Sequence, residues 1–152
     1  MLRKLFRKYR FKFYLNASHS IIIAGRQGDV HPHTWELTLI ILTQREEMVE
    51  FADFEKAIEQ FLTPFQNRTI NDLSPFDTTI PTLENLVEYF GDALRSIIRE
   101  KGGELLQIEG SETPSRSYVI SYVQSPEYAS DTDQYTQSAL GKALDHLLED
   151  ML

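Results

Sequence analysis

Asp29-Val30-His31-Pro32-His33-Thr34-Trp35 opens an apolar run that continues as Glu36-Leu37-Thr38-Leu39-Ile40-Ile41-Leu42. Its density of aliphatic residues predicts a β-strand from His31 to about Thr43. Side chains along a strand alternate faces, so His31 and His33 point to the same side. Upstream, Phe11, Phe13, Leu15 and Ala17 alternate with Lys12, Tyr14, Asn16 and Ser18, and the apolar phase ends on His19. This predicts a first strand from about Tyr9 to Ser20. If the two strands pair, three of the chain's four histidines converge. Three imidazoles with an open fourth position form the ligand set of a catalytic zinc site.

Composition narrows the chemistry. A chain of 152 residues suits one domain with a sizeable core. It has no cysteine, so any transition-metal site must use histidine with aspartate or glutamate. A net charge of −8 argues against nucleic acid as a partner. No apolar run is long enough to span a bilayer and no signal-peptide pattern is present, so the expected location is cytoplasmic. Arg3, Lys4, Arg7, Lys8, Arg10 and Lys12 crowd the first segment. They read as a solvated flank of the first strand rather than as a membrane or nucleic-acid arm.

Working outward, Ala24-Gly25-Arg26-Gln27-Gly28-Asp29 is a loop with two glycines for turning. The strand from His31 is apolar on both faces in its middle, as a central strand would be. Phe51, Phe54, Ile58, Phe61, Leu62 and Phe65 recur at helical spacing, and Pro64 ends or kinks that helix. A polar stretch runs from Gln66 to Pro81. Thr82 is a good N-cap for a second helix with Leu83, Leu86, Val87, Phe90, Leu94, Ile97 and Ile98 on its apolar face, stopping near Gly102-Gly103. Two strands follow, near Glu104–Glu109 and Ser117–Val123, broken by Pro114. A linker from Ser125 to Asp133 leads to an amphipathic segment with Leu140, Leu144, Leu147, Leu148 and Met151 on one face, where His146 reads as a solvated residue. The fold class is α+β: a four-stranded antiparallel sheet with two helices between its second and third strands, plus a C-terminal helix. The expected organisation is a domain over residues 1–123 and a linker and helix over 124–152.

These landmarks resemble the 6-pyruvoyltetrahydropterin synthase and 6-carboxytetrahydropterin synthase family. Ala17-Ser18-His19 and His31-Pro32-His33 fall on the right strands. Met48-Val49-Glu50-Phe51-Ala52-Asp53-Phe54 resembles the entry to the family's first helix, and Ile70-Asn71-Asp72 its Leu-Asn-Asp. Pro81-Thr82-Leu83-Glu84-Asn85 resembles the Pro-Thr-x-Glu-Asn that opens its second helix. Ser111-Glu112-Thr113 resembles the Glu-Thr that ends its third strand. The match covers roughly residues 9–123. It implies the T-fold (tunnelling fold), with trimeric barrels stacked into hexamers and active sites at subunit interfaces. It also implies zinc (Zn2+) on His19, His31 and His33, and a pterin pocket anchored by Glu112 with Thr82 and Glu84 nearby. A carboxylate suits that role, because it accepts both adjacent N–H groups of a pterin's pyrimidinone edge.

The proton-transfer residues depart from the family pattern. The usual cysteine before the His-x-His is missing, and Gln27 sits near its place. Gln66 and Asn67 fall where an Asp-His pair belongs, and Pro32 replaces a glycine. Neither amide serves as a general base near neutral pH. A replacement base would be Asp29, Asp72 or Glu36, with Asp29 first because of its phase with His31; Asp29 is equally a fourth metal ligand by position. Arg26 and Arg116 are candidates to meet a triphosphate. Three readings follow: a carbon–oxygen or carbon–carbon lyase of this family acting on a pterin of the dihydroneopterin triphosphate type, a catalytically degenerate zinc- and pterin-binding protein, or an assembly protein.

Overall fold

Two long strands set the frame. β1 (Arg7–His19) and β4 (His31–Thr43) pair antiparallel along their whole length, from Arg7 opposite Thr43 to His19 opposite His31. The computed structural model describes residues 7–43 and 50–122. Contacts divide the chain into Met1–Ile120 and Ser121–Leu152. The expected C-terminal linker and helix, with His146, lie outside the described residues.

Between these strands, β2 (Ile22–Ile23) and β3 (Arg26–Gln27) form a small hairpin. Its central residues Ala24 and Gly25 both have positive φ, 51° and 78°. That is the turn whose twist suits a two-residue hairpin. After β4 come α1 (Phe51–Leu62), one 3-10 turn over Thr63–Phe65 where Pro64 interrupts the helix, and a second over Ile70–Asp72. Next is α2 (Leu83–Glu100), capped as expected by the Thr82 hydroxyl, which accepts from the Asn85 N–H at 3.1 Å. β5 (Gly103–Thr113) and β6 (Arg116–Ser121) complete a four-stranded sheet in the order β1-β4-β5-β6. The architecture is the expected α+β T-fold.

One face of the sheet carries the core. Phe13, Leu15 and Ala17 of β1 and Trp35, Leu37, Leu39 and Ile41 of β4 are buried, as are Phe54, Ile58 and Leu62 of α1 and Leu86, Val87, Phe90, Leu94 and Ile98 of α2. The approach of α2 to β5 is close enough that a Cβ at Gly110 would collide with Val87. The other face is polar near the histidines, with Lys12 Nζ 3.0 Å from Glu36 Oε1, and carries Ile40 and the buried Leu42 further along β4.

The pairing of β4 with β5 contains one irregularity. Ile40 faces Gln107 and Ile41 faces Leu105, so Leu106 is an extra residue on β5. Such a bulge shifts the strand's phase by one. Both Leu105 and Leu106 are buried as a result. Beyond the bulge, Ile108 and Gly110 lie opposite Leu39 and Leu37 of the core face. Glu112, two residues further on, shares that face. The strand reaches Thr113, so Glu112 lies within it.

The edge of β1 is covered by the segment after α1. Gln66 accepts from Asn16 N–H at 3.0 Å and donates to Tyr14 C=O at 2.9 Å. Asn67 N–H donates to Asn16 C=O, and Ser18 N–H to Arg68 C=O. The Asn71 amide accepts from Ser20 N–H at 2.8 Å and donates to Ser20 C=O at 2.9 Å. Side-chain amides substitute for a neighbouring strand, because each carries both a donor and an acceptor. They fix the end of β1 and hence the position of His19.

Candidate metal centre

The β1–β4 register delivers the predicted convergence. His19 and His31 are a direct cross-strand pair, and His33 follows on the same face opposite Ala17. The ligand-competent nitrogens of the three rings lie within 4.8 Å of one another. His19 is 1% exposed. Its Nδ1 is 2.7 Å from Pro81 C=O, just before α2. A carbonyl can only accept, so Nδ1 carries the proton and Nε2 presents a lone pair. His31 repeats the arrangement, with Nδ1 2.9 Å from Asp29 C=O. Main-chain carbonyls of this kind fix the tautomer of ligating imidazoles. Burial pushes the His19 pKa down, against the raising effects of the Pro81 carbonyl and the Glu112 carboxylate. The neutral, ligating form is therefore favoured.

The donor set fits a divalent metal of the zinc type. His19 Nε2 is buried with no hydrogen-bond partner, an unusual state for a polar atom in a core. A cation held between the three rings would supply the missing partner.

Glu112 joins this cluster. Its Oε1 is 3.9 Å from His19 Nε2 and its Oε2 4.0 Å from His33 Nε2. Trp35 Nε1–H donates to Oε1 at 3.3 Å. The indole is fully buried and meets the rings of His19 and His33 edge-on, with centroids 4.9 and 5.1 Å away. Trp35 is the residue that sequence reasoning missed. Its phase with His31 and His33 was visible, but a tryptophan on an apolar face gives no sign that its N–H meets a carboxylate.

The remaining candidates are distributed around this centre. Asp29 contributes its main-chain carbonyl to His31, and its side chain is exposed. Glu36 cannot be the replacement base, since alternation puts it on the opposite face, paired with Lys12. Asp72, Arg26 and Arg116 are exposed. The Thr82 hydroxyl caps α2 one residue after the carbonyl that holds His19. Glu84 is exposed on the first turn of α2, where it and Glu88 raise the pKa of Tyr118; the hydrogen bond from that hydroxyl to Glu88, at 3.0 Å, is the main cause. Gln27 donates from Nε2 to the Ser20 hydroxyl at 3.1 Å. Gln66 and Asn67, as described, bind the backbone of β1.

Comparison with known proteins agrees with the fold. The family model described as 6-pyruvoyl tetrahydropterin synthase matches residues 8–122. No curated relative matches the sequence significantly. The 6-pyruvoyl tetrahydropterin synthase of Caenorhabditis elegans is similar in structure, with TM-score 0.66 and 19% identity over 80% of this chain and 99% of that one. An uncharacterised protein of Wolinella succinogenes aligns with TM-score 0.59 and 15% identity, over 78% and 99% of the two chains. The Plasmodium vivax 6-pyruvoyltetrahydropterin synthase gives 0.58 and 14%, over 77% and 98%. At these identities the structural matches speak to the fold alone. Among the described residues no helix is long and apolar enough to cross a membrane. With the family model spanning strands, helices and histidine cluster alike, the chain belongs to the 6-pyruvoyl tetrahydropterin synthase family.

Proposed function

We propose that the protein is a zinc-dependent pterin protein of the lyase type, acting on a substrate of the dihydroneopterin triphosphate class. The observation that carries this reading is the buried, unpartnered Nε2 of His19 beside His31, His33 and Glu112. In this reading His19, His31 and His33 hold the metal, with tautomers set by Pro81 and Asp29. Bound there, zinc supplies a Lewis acid that polarises the oxygens of the pterin side chain. Glu112 accepts two N–H groups from the pterin's pyrimidinone edge, which orients the ring. Thr82 and Glu84 complete the pocket by way of the α2 entry, and the site sits at an interface of a homohexamer. Exposed apolar side chains adjoin the elements of the site, Ile22 and Ile23 in the hairpin, Val30 before His31 and Ile80 before Pro81, which supports coverage by a second subunit.

Proton transfer falls to Asp29. One of the solved Plasmodium vivax structures is of a variant in which a catalytic glutamate is replaced by alanine. A carboxylate thus serves catalysis in at least one family member, which supports aspartate chemistry here.

A second reading has its own support. The amide of Gln66 is committed to the β1 backbone and that of Gln27 to Ser20. Residues in the places of acid and base groups here do structural work. Binding of zinc and pterin with little turnover would follow.

One experiment separates these readings from failure: elemental analysis of the purified protein, with mass spectrometry of any co-purified small molecule and of products formed from dihydroneopterin triphosphate. Zinc, a bound pterin and a dephosphorylated product support the lyase. Zinc and pterin without product support the binder. A metal-free protein that retains no pterin overturns both.

A further inference from the structure

The position of Glu112 carries a consequence beyond ring recognition. Tetrahedral zinc with bonds of about 2.0–2.2 Å holds its donors roughly 3.3–3.6 Å apart. The three imidazole nitrogens lie within 4.8 Å of one another. Glu112 flanks this group, with Oε1 3.9 Å from His19 Nε2 and Oε2 4.0 Å from His33 Nε2.

Two further features point the same way. The side chain of Glu112 is only 19% exposed, and its ion-pair contacts among the described residues are His19 and His33. Imidazoles are neutral when they act as ligands, so a carboxylate in this place has no permanent positive partner. A divalent cation provides one. The Trp35 N–H also holds Oε1 against the cluster, on a ring wedged edge-on between His19 and His33. The carboxylate is aimed by a buried residue rather than by chance of rotamer.

We propose that Glu112 is the fourth protein ligand of the metal, closing the coordination shell until a pterin presents its pyrimidinone edge to the same carboxylate. Trp35 is the positioning residue that holds it there. Recognition of the ring and opening of the fourth position are then one event. A pterin must draw Glu112 away before its side chain gains access to the metal. The inference rests on the reading of the three histidines as metal ligands.

The test uses cobalt(II), whose visible absorption reports its coordination, and azide as a probe for an open position. The full-length wild-type protein is expected to take up one cobalt per chain, with a spectrum that azide leaves unchanged. Glu112→Ala should bind cobalt at least about tenfold more weakly, since even indirect supports of a metal are worth 10–100-fold. Azide should shift its spectrum. Glu112→Gln, nearly isosteric, should give the same azide response and guards against loss of fold in the alanine variant. Trp35→Phe keeps the carboxylate but removes its donor, and should show a partial response. Wild-type protein that binds cobalt and responds to azide as fully as Glu112→Ala overturns the proposal alone. A wild-type protein that takes up no cobalt overturns the histidine reading and the proposal together.

Discussion

His19 and His31 stand directly opposite each other across the β1–β4 ladder, with ring centroids 4.6 Å apart and planes at 70°. The pair exists only in this register. A slip of one residue between the strands would turn one ring to the polar face of the sheet. The amides of Gln66 and Asn71 hold the free edge of β1 over Tyr14 to Ser20, the stretch that ends at the cluster.

The first prediction concerns the metal. The purified protein should contain about one zinc per chain. His31→Ala and His33→Ala should each reduce that content severely while leaving the fold in place, since both rings are only partly buried. Elemental analysis decides the matter: undiminished zinc in both variants rejects the ligand set.

Acidity should act on the metal-free protein through His19. Its folded pKa is lowered by burial, so the unfolded chain, at about 6.5, protonates first. The stability this group contributes is fully present above about pH 6.5 and is lost as the pH falls below that value towards the folded pKa. Urea midpoints of chelator-treated protein should therefore drop on moving from about pH 7.5 to 5.5. A His19→Gln variant should lose that component of the slope. A midpoint that rises on acidification contradicts the assignment.

Packing makes a separate prediction. Gly110→Ala places a methyl group against Val87 on α2. Overpacking of this kind costs about 1–3 kcal/mol. Urea unfolding should register that loss, and Val87→Ala in the same chain should recover part of it. An unchanged midpoint for Gly110→Ala would show that α2 yields freely.

Turnover should be slow. A positioned acid or base contributes about 10²- to 10⁴-fold, and Gln27, Gln66 and Asn67 supply neither. Conversion of dihydroneopterin triphosphate to 6-pyruvoyltetrahydropterin should be weak, and Asp29→Asn should abolish what remains while zinc is retained. Brisk turnover that ignores Asp29→Asn would remove Asp29 from the mechanism.

Assembly is the last prediction. β1 and β6 end the sheet, and closure into a ring would remove these edges. Sedimentation should find a homohexamer; a monomer at micromolar concentration would refute it.

Much of this was legible in the sequence because its signals are local. Alternation put His31 and His33 on one face and, once the first two long strands are paired, His19 beside them, and Thr82 declared itself a cap. Glu36 illustrates the same rule neglected: two residues in adjacent positions of a strand cannot serve one site, and Glu36 follows Trp35. The roles of Gln66 and Asn71 were hidden for the opposite reason. Their partners are 50 to 52 positions away in sequence, and a side-chain amide that imitates a strand has no pattern of its own. Trp35 and Glu112, 77 apart, were likewise joined only by the packing of a third strand.

The extra residue at Leu106 gives β5 something like two reading frames. In the frame set by Gly103 and Leu105, the strand would offer Gln107, Glu109 and Ser111 to the interior. In the frame that follows the bulge it offers Ile108, Gly110 and Glu112. The identity of the acid beside the histidines is therefore governed from about 6 residues away, by a count rather than by a side chain. The same chain paired straight through Leu106, without the bulge, would keep every functional group in its sequence and present a serine where the carboxylate belongs; removing Leu106 altogether would leave the pairing beyond it, and so Glu112, in place.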